Sequence, residues 1–410
     1  MGGHGFAPER AAVSVSNLSK YLRSRVGRLS RSAGFTRFFE GLGALEAERL
    51  ERLWRCVADF AEGRGSRLAD EAELMVRAMP DEEDGQGAVV QRVFAEALLG
   101  RARADSSPAG NLYLEGRPPG AQLRAFELLR LRTPLIPFAY VASNRALLDL
   151  IVEPTPVTVI ELGIGRGGQL RTLLMNPQTR SLVQSLHVVG VEPDSSPETG
   201  TGALEVAREN VLQAGREAEI PVTFHPVPVR AEQLTPAHLE AAGMHGLILG
   251  NATLCLHHLR VANGHGRRDV LRLLRECGAS AVVVVEPDSN HCTDALHRRF
   301  LHAYRHYRTA YRSLAAVLGA SDTLLVWNEF FSPEVRNIIT HEGSDRTERH
   351  QERSCWQEHL ESSGWRCDPL CELLPQAAAP PGFTLKNDRY STSLAYADVD
   401  LLSVIRGSLP

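Results

Sequence analysis

The chain has 410 residues and a formal net charge of −4, with 43% hydrophobic and 23% charged residues. That length exceeds what a single core holds, roughly 250–300 residues, so two or more cooperative units are expected. The small net charge excludes a general pull toward nucleic acid or anionic membrane.

Residues 1–37 form a basic leader, with Lys20, Arg23, Arg25, Arg28, Arg31 and Arg37 among Ser and Gly and no acid between Arg10 and Phe39. It reads as a flexible or surface-docked segment, and it is the one part suited to nucleic acid, a membrane or an organelle address. Residues 38–150 are helical in pattern, since Leu50, Leu53, Trp54, Val57 and Phe60 recur at three- and four-residue steps. A Pro/Gly/Ser-rich linker at Asp105–Pro119 interrupts them, and helices over Leu123–Leu131 and from Pro134 to Leu150 follow. This block is expected to be a helical cap.

At Val157 the period changes. Val157–Glu161, Leu186–Val191, Leu247–Leu249 and Ala281–Val285 are short, nearly continuous apolar runs, with a weaker one at Val222–Val229, and helical stretches alternate with them. Runs of this kind suit parallel strands covered on both faces. A helical insertion over about 294–362 is expected to complete the cap, and Phe383–Ser391, Ser393–Ala397 and Leu401–Ile405 read as antiparallel strands at the sheet edge. Residues 151–410 are therefore expected to be α/β: a Rossmann-like, doubly wound, mostly parallel sheet of the class I methyltransferase type, with an antiparallel C-terminal hairpin.

The glycine-rich stretch Ile160–Gln169 sits at the carboxyl end of the first strand, where open α/β sheets bind ligands. Gly163, Gly165 and Gly168 satisfy GxGxxG, suited to NAD. Glu161, Gly163, Gly165 and Gly167 satisfy ExGxGxG, suited to S-adenosylmethionine. Glu161 would repel a pyrophosphate and attract a sulfonium, which favours S-adenosylmethionine. Glu192, ending the next strand, is placed to accept from ribose hydroxyls, and Asn251 completes the expected cofactor set. Histidine is the base suited to an acceptor that must lose a proton. His257, His258 and His291, with Glu286 and Asn290 to orient groups, are the catalytic candidates at the strand ends. Each histidine taken singly reads more readily as packed; together they mark the acceptor side.

The aromatic stripe Phe300, Tyr304, Tyr307, Tyr311 and Leu314 reads as core, with an acceptor-pocket wall as the alternative. His302 and His306, four apart, lack a third ligand, and Cys367 and Cys371 are weak ligands, so no metal is expected. Seven cysteines without a CxxC pair suggest reduced thiols. With no apolar run near ~20 residues and no signal-peptide core after Met1, a soluble cytoplasmic protein is expected.

Separated segments together resemble the GRAS family. They are Thr133–Tyr140 with Ser143–Ala146, Val157–Gln169, Val283–His291, Phe300–Tyr307, and Glu334–Gly343 followed by Arg346, Glu348-Arg349-His350 and Trp356. The last is similar to the family's PFYRE region almost position by position. The closing SAW region keeps only Leu402–Arg406 and lacks its tryptophan. Plant members resemble transcriptional regulators with few of these glycines. The resemblance to prokaryotic members implies an S-adenosylmethionine-dependent O- or N-methyltransferase acting on a small-molecule methyl acceptor, with a homodimer left open. The alternative is a non-catalytic GRAS-type regulator or interaction scaffold with a vestigial cofactor cleft.

Overall fold

A computed structural model of the chain describes residues 38–39, 41–63, 68–79, 87–103, 119–193, 202–259, 266–370, 373–374 and 379–410. The basic leader and nearly all of the expected linker lie outside the described residues. In chain order the helices α1 (Ala44–Ala61), α2 (Leu68–Ala78), α3 (Ala88–Ala102), α4 (Pro119–Arg132) and α5 (Leu135–Leu148) come first. Alternation follows: β1 (Thr155–Leu162), α6 (Gly168–Leu174), α7 (Pro177–Leu182), β2 (Val183–Val191), α8 (Ala203–Ala218), β3 (Val222–Val227), α9 (Pro236–Ala241), β4 (Leu247–Thr253), α10 (Gly266–Glu276) and β5 (Ala281–Pro287). Then come α11 (Leu296–Ala315), α12 (Ala320–Val326), α13 (Ser332–Thr340), α14 (Arg353–Ser362), β6 (Arg366–Cys367), β7 (Phe383–Asn387), β8 (Ser391–Tyr396) and β9 (Val399–Ser408).

The chain divides into two units. One gathers the described residues of Met1–Leu112 with Asn290–Arg346 and Ala397–Val399; the other gathers those of Tyr113–Ser289 with Thr347–Tyr396 and Asp400–Pro410. Helices α4 and α5, read from sequence as part of the cap, thus group with the sheet, because the apolar residues of α5 pack on β4 and β5. The segment after residue 346 groups with the sheet as well.

In the helical unit the stripe of α1 is the core face: Leu50, Leu53, Trp54 and Val57 are buried against α2, α3 and α11. The aromatic stripe of α11 is core too. Phe300, Tyr304, Tyr307 and Tyr311 are fully buried, and Phe94 meets Phe300 and Tyr304 edge-on at 5.3 Å between ring centroids. Glu46 on α1 ties the two helices together: it accepts from the Tyr304 hydroxyl at 2.9 Å and from Arg308 Nη2 at 2.7 Å.

In the other unit a mixed α/β sheet runs in the order β3-β2-β1-β4-β5-β9-β8-β7, with β6 pairing β9. β1 to β5 are mutually parallel, and β9 lies antiparallel beside β5. The apolar runs are central strands because both faces are covered: every residue of β5 is buried, and so are the last six of β1 and of β2. The terminal hairpin, expected at the sheet edge, is there, with β7 and β8 antiparallel. No helix among the described residues is long and apolar enough to cross a membrane.

Candidate functional site

Register places the first site. Glu161 near the end of β1 pairs with Gly190 on β2 and with Asn251 on β4, so Glu161 and Asn251 share one sheet face in neighbouring parallel strands. Asn251 Nδ2 donates to Glu161 Oε1 at 2.8 Å, Ser143 Oγ of α5 donates to Asn251 Oδ1 at 2.5 Å, and Gln169 Nε2 donates to Ser143 Oγ at 3.1 Å. Glu161 is 2% exposed, and its Oε2 has no hydrogen-bond partner among the described residues. Burial pushes its carboxyl up to about 8, against the opposing effect of the Asn251 bond, so it is protonated near neutrality.

The loop after β1 turns through Gly163, Gly165 and Gly167, with φ of +70°, +51° and +74°. A Cβ at Gly163 would lie 2.6 Å from the Cys255 Cβ, and one at Gly167 would lie 2.8 Å from Val211 Cγ2 and 3.1 Å from the Ala207 carbonyl of α8. Two of the glycines thus admit close packing by the protein itself, while a Cβ at Gly165 would meet nothing within 4 Å. Gly168 begins α6 with Tyr140 of α5 over it, and Glu192 accepts from the Gly165 amide at 3.1 Å. Burial raises the carboxyl of Glu192 and the thiol of Cys255.

Glu161 and Glu192 are the two carboxylates at the strand ends where the sequence placed the cofactor. Glu161 keeps one buried oxygen without a partner among the described residues, and Glu192 places one oxygen on the Gly165 amide.

A second cluster stands at the ends of β4 and β5. Leu254 takes a left-handed φ of +56°, unusual for a branched residue, and turns the chain into the 3₁₀ turn Leu256–His258. That bend brings the Cys255 and Leu256 amides to Glu286 Oε1, at 3.1 and 2.7 Å, while Glu286 Oε2 engages His257 Nδ1. Burial holds the pKa of His257 below its usual value, with the neighbouring His258 acting in the same direction. His258 Nδ1 lies 2.9 Å from Glu348 Oε1. Arg267 of α10 donates to the carbonyls of Leu256 (2.9 Å) and Arg349 (2.7 Å), and the Arg349 amide donates to the His257 carbonyl (3.1 Å).

The remaining catalytic candidates belong to the helical unit. Asn290 Oδ1 accepts from the Cys292 amide at 3.3 Å, a local turn. His291 is fully buried, stacked on Tyr307 at 5.6 Å, and its carbonyl accepts from Arg346 at 2.8 Å. Burial holds its imidazole well below the ordinary pKa, with His306, His302, Arg299 and Arg346 acting in the same direction. Of the predicted residues the structure therefore joins Glu161 with Asn251, Glu192 with Gly165, and Glu286 with His257 and His258. Sequence reasoning gave no individual role to Ser143, Gln169, Glu348 or His350. Ser143, Gln169, Glu348 and His350 lay within the segments carrying the family resemblance, the one signal that singled them out.

These features define a mixed α/β protein with a mostly parallel sheet, antiparallel C-terminal strands and buried polar clusters at the strand ends. The chain belongs to the GRAS domain family, whose family model matches residues 50–379. It is 25% identical over 299 residues to the Scarecrow-like transcription factor PAT1 of Arabidopsis thaliana, covering 70% of this chain and 61% of that protein. It is equally 25% identical over 247 residues to Chitin-inducible gibberellin-responsive protein 2 of Oryza sativa subsp. japonica, covering 59% of this chain and 45% of that protein. The chain thus spans about half the length of these curated relatives. The crystal structure of SCL7 in Oryza sativa shares the fold, with a TM-score of 0.73 and 21% identity over 88% of this chain and 99% of that one.

These findings overturn the methyltransferase expectation. The family resemblance holds, but PAT1 is named a transcription factor, and neither of these two relatives is named a methyltransferase. Cys255 packs into the room at Gly163 and α8 into that at Gly167, while the space at Gly165 is open.

Proposed function

We propose that the chain is a non-catalytic GRAS-type regulator that acts on transcription through contacts with other proteins, its glycine-loop hollow being a vestige of a cofactor cleft. The observation that carries this reading is the match to PAT1, a named transcription factor, over 70% of the chain. The loop geometry supports it, since Cys255 occupies the space at Gly163 and Glu192 satisfies the Gly165 amide. The parallel order β3-β2-β1-β4-β5 supports a Rossmann-like, doubly wound ancestry for the sheet.

The test is a reporter assay with the full-length chain tethered to a heterologous DNA-binding domain. A several-fold change in transcription is expected; unchanged output from folded, expressed protein refutes the regulatory reading. Calorimetry with S-adenosylhomocysteine is expected to give no micromolar binding, and micromolar binding would overturn the vestigial cleft.

A further inference from the structure

The cluster beyond β4 has a donor set that the regulatory reading does not use. One nitrogen each of His257 and His350 and one oxygen of Glu348 lie within 4.8 Å of one another. All three side chains are buried, at 3%, 1% and 2% exposure. We propose that these residues bind one divalent transition-metal ion, zinc being the expected one, in a structural site. The site joins the turn after β4 to the segment that leads into α14.

Two imidazoles and a carboxylate are a donor set that zinc accepts, with a fourth position for water or another oxygen. The surroundings of each ligand agree with that role. Glu286 engages His257 Nδ1, which leaves Nε2 as the nitrogen with a lone pair. A carboxylate behind an imidazole in this way fixes the tautomer and ring direction of a metal-bound histidine. His258 holds Glu348 Oε1 at 2.9 Å, and Glu348 Oε2 stands 3.9 Å from His350 Nε2. Bonds of ~2.0–2.1 Å to a tetrahedral ion place neighbouring donors about 3.4 Å apart, so a contraction of about half an ångström closes that pair on zinc.

The backbone is prepared for it. The Arg267 guanidinium and the Arg349 amide bind the carbonyls of both ligand-bearing segments, so little ordering remains when an ion enters. A cation also offsets the desolvation of Glu286 and Glu348, both buried to within 2%.

The experiment is metal analysis of the untagged full-length chain, followed by chelator treatment and titration with zinc and with cobalt(II). About one equivalent of metal is expected, with a fall in Tm on chelation that zinc restores, and visible d–d absorption from cobalt. His350→Ala and Glu348→Gln should lose at least 10-fold in affinity, and Glu286→Gln about 10- to 100-fold. A chain that is purified metal-free and takes up no cobalt refutes the site, and so does full metal retention in His350→Ala. Should that variant fail to fold, X-ray absorption on the wild-type zinc form decides. Imidazole and oxygen scatterers support the assignment; thiolate or oxygen-only coordination overturns it.

Discussion

Replacing Glu161 by Gln tests the protonation at the end of β1. The carboxyl is raised from 4.5 to about 8 by burial, so the folded state binds a proton that the unfolded chain releases above pH 4.5. Stability therefore falls as pH rises between those two values, and the loss is complete above about 8. A tenfold change in proton affinity is worth about 1.4 kcal/mol, so a rise from 4.5 to about 8 amounts to a penalty on the order of 5 kcal/mol at high pH. Between pH 5 and 8.5 the same linkage gives roughly 4 kcal/mol. Glu161→Gln keeps the acceptor for Asn251 and cannot ionise, so the variant escapes this penalty. Urea unfolding of wild type and variant across that range is the assay, with the difference between them expected to grow steadily toward alkaline pH. Parallel pH profiles would show that Glu161 is ionised in the folded protein, and the argument from desolvation would fail.

Gly163→Ala should cost about 2–4 kcal/mol, combining a left-handed φ with overpacking against Cys255; thermal melts of Gly163→Ala with and without Cys255→Gly should recover only the packing part. Glu46→Ala strands the buried Arg308 and Tyr304 of α11 and should destabilise the helical unit by about 3–5 kcal/mol, measured by denaturant unfolding. Arg353 lies within 3.3 Å of carboxylate oxygens of Asp288, Asp388 and Asp400. Arg353→Met should therefore lose most stability near neutral pH and regain part of it on acidification, as carboxylates protonate; an equal loss at all pH values would argue against charge as the cause.

Much of this organisation was legible in advance because its signals are local. Leu50, Leu53, Trp54 and Val57 fall on one face of α1 wherever that helix docks, and an all-apolar run such as Ala281–Val285 has few alternatives to a covered strand. The family was legible too, from ordered segments between Thr133 and Trp356. Less visible was which unit each helix would join. α4 and α5 read as helices in sequence, but their docking on the sheet depends on strands that come later in the chain.

The sequence alone determined the alternation of strands and helices, the GRAS resemblance and the positions of the strand ends, since each follows from neighbours a few residues apart. Only the tertiary structure decided what those ends contain. Glu161 meets Asn251 and His258 meets Glu348 across ninety residues each, and Cys255 reaches the space opened at Gly163. Burial, which sets the charge of Glu161 and brings His257, Glu348 and His350 together, comes from strand pairing and helix docking. No local spacing encodes it.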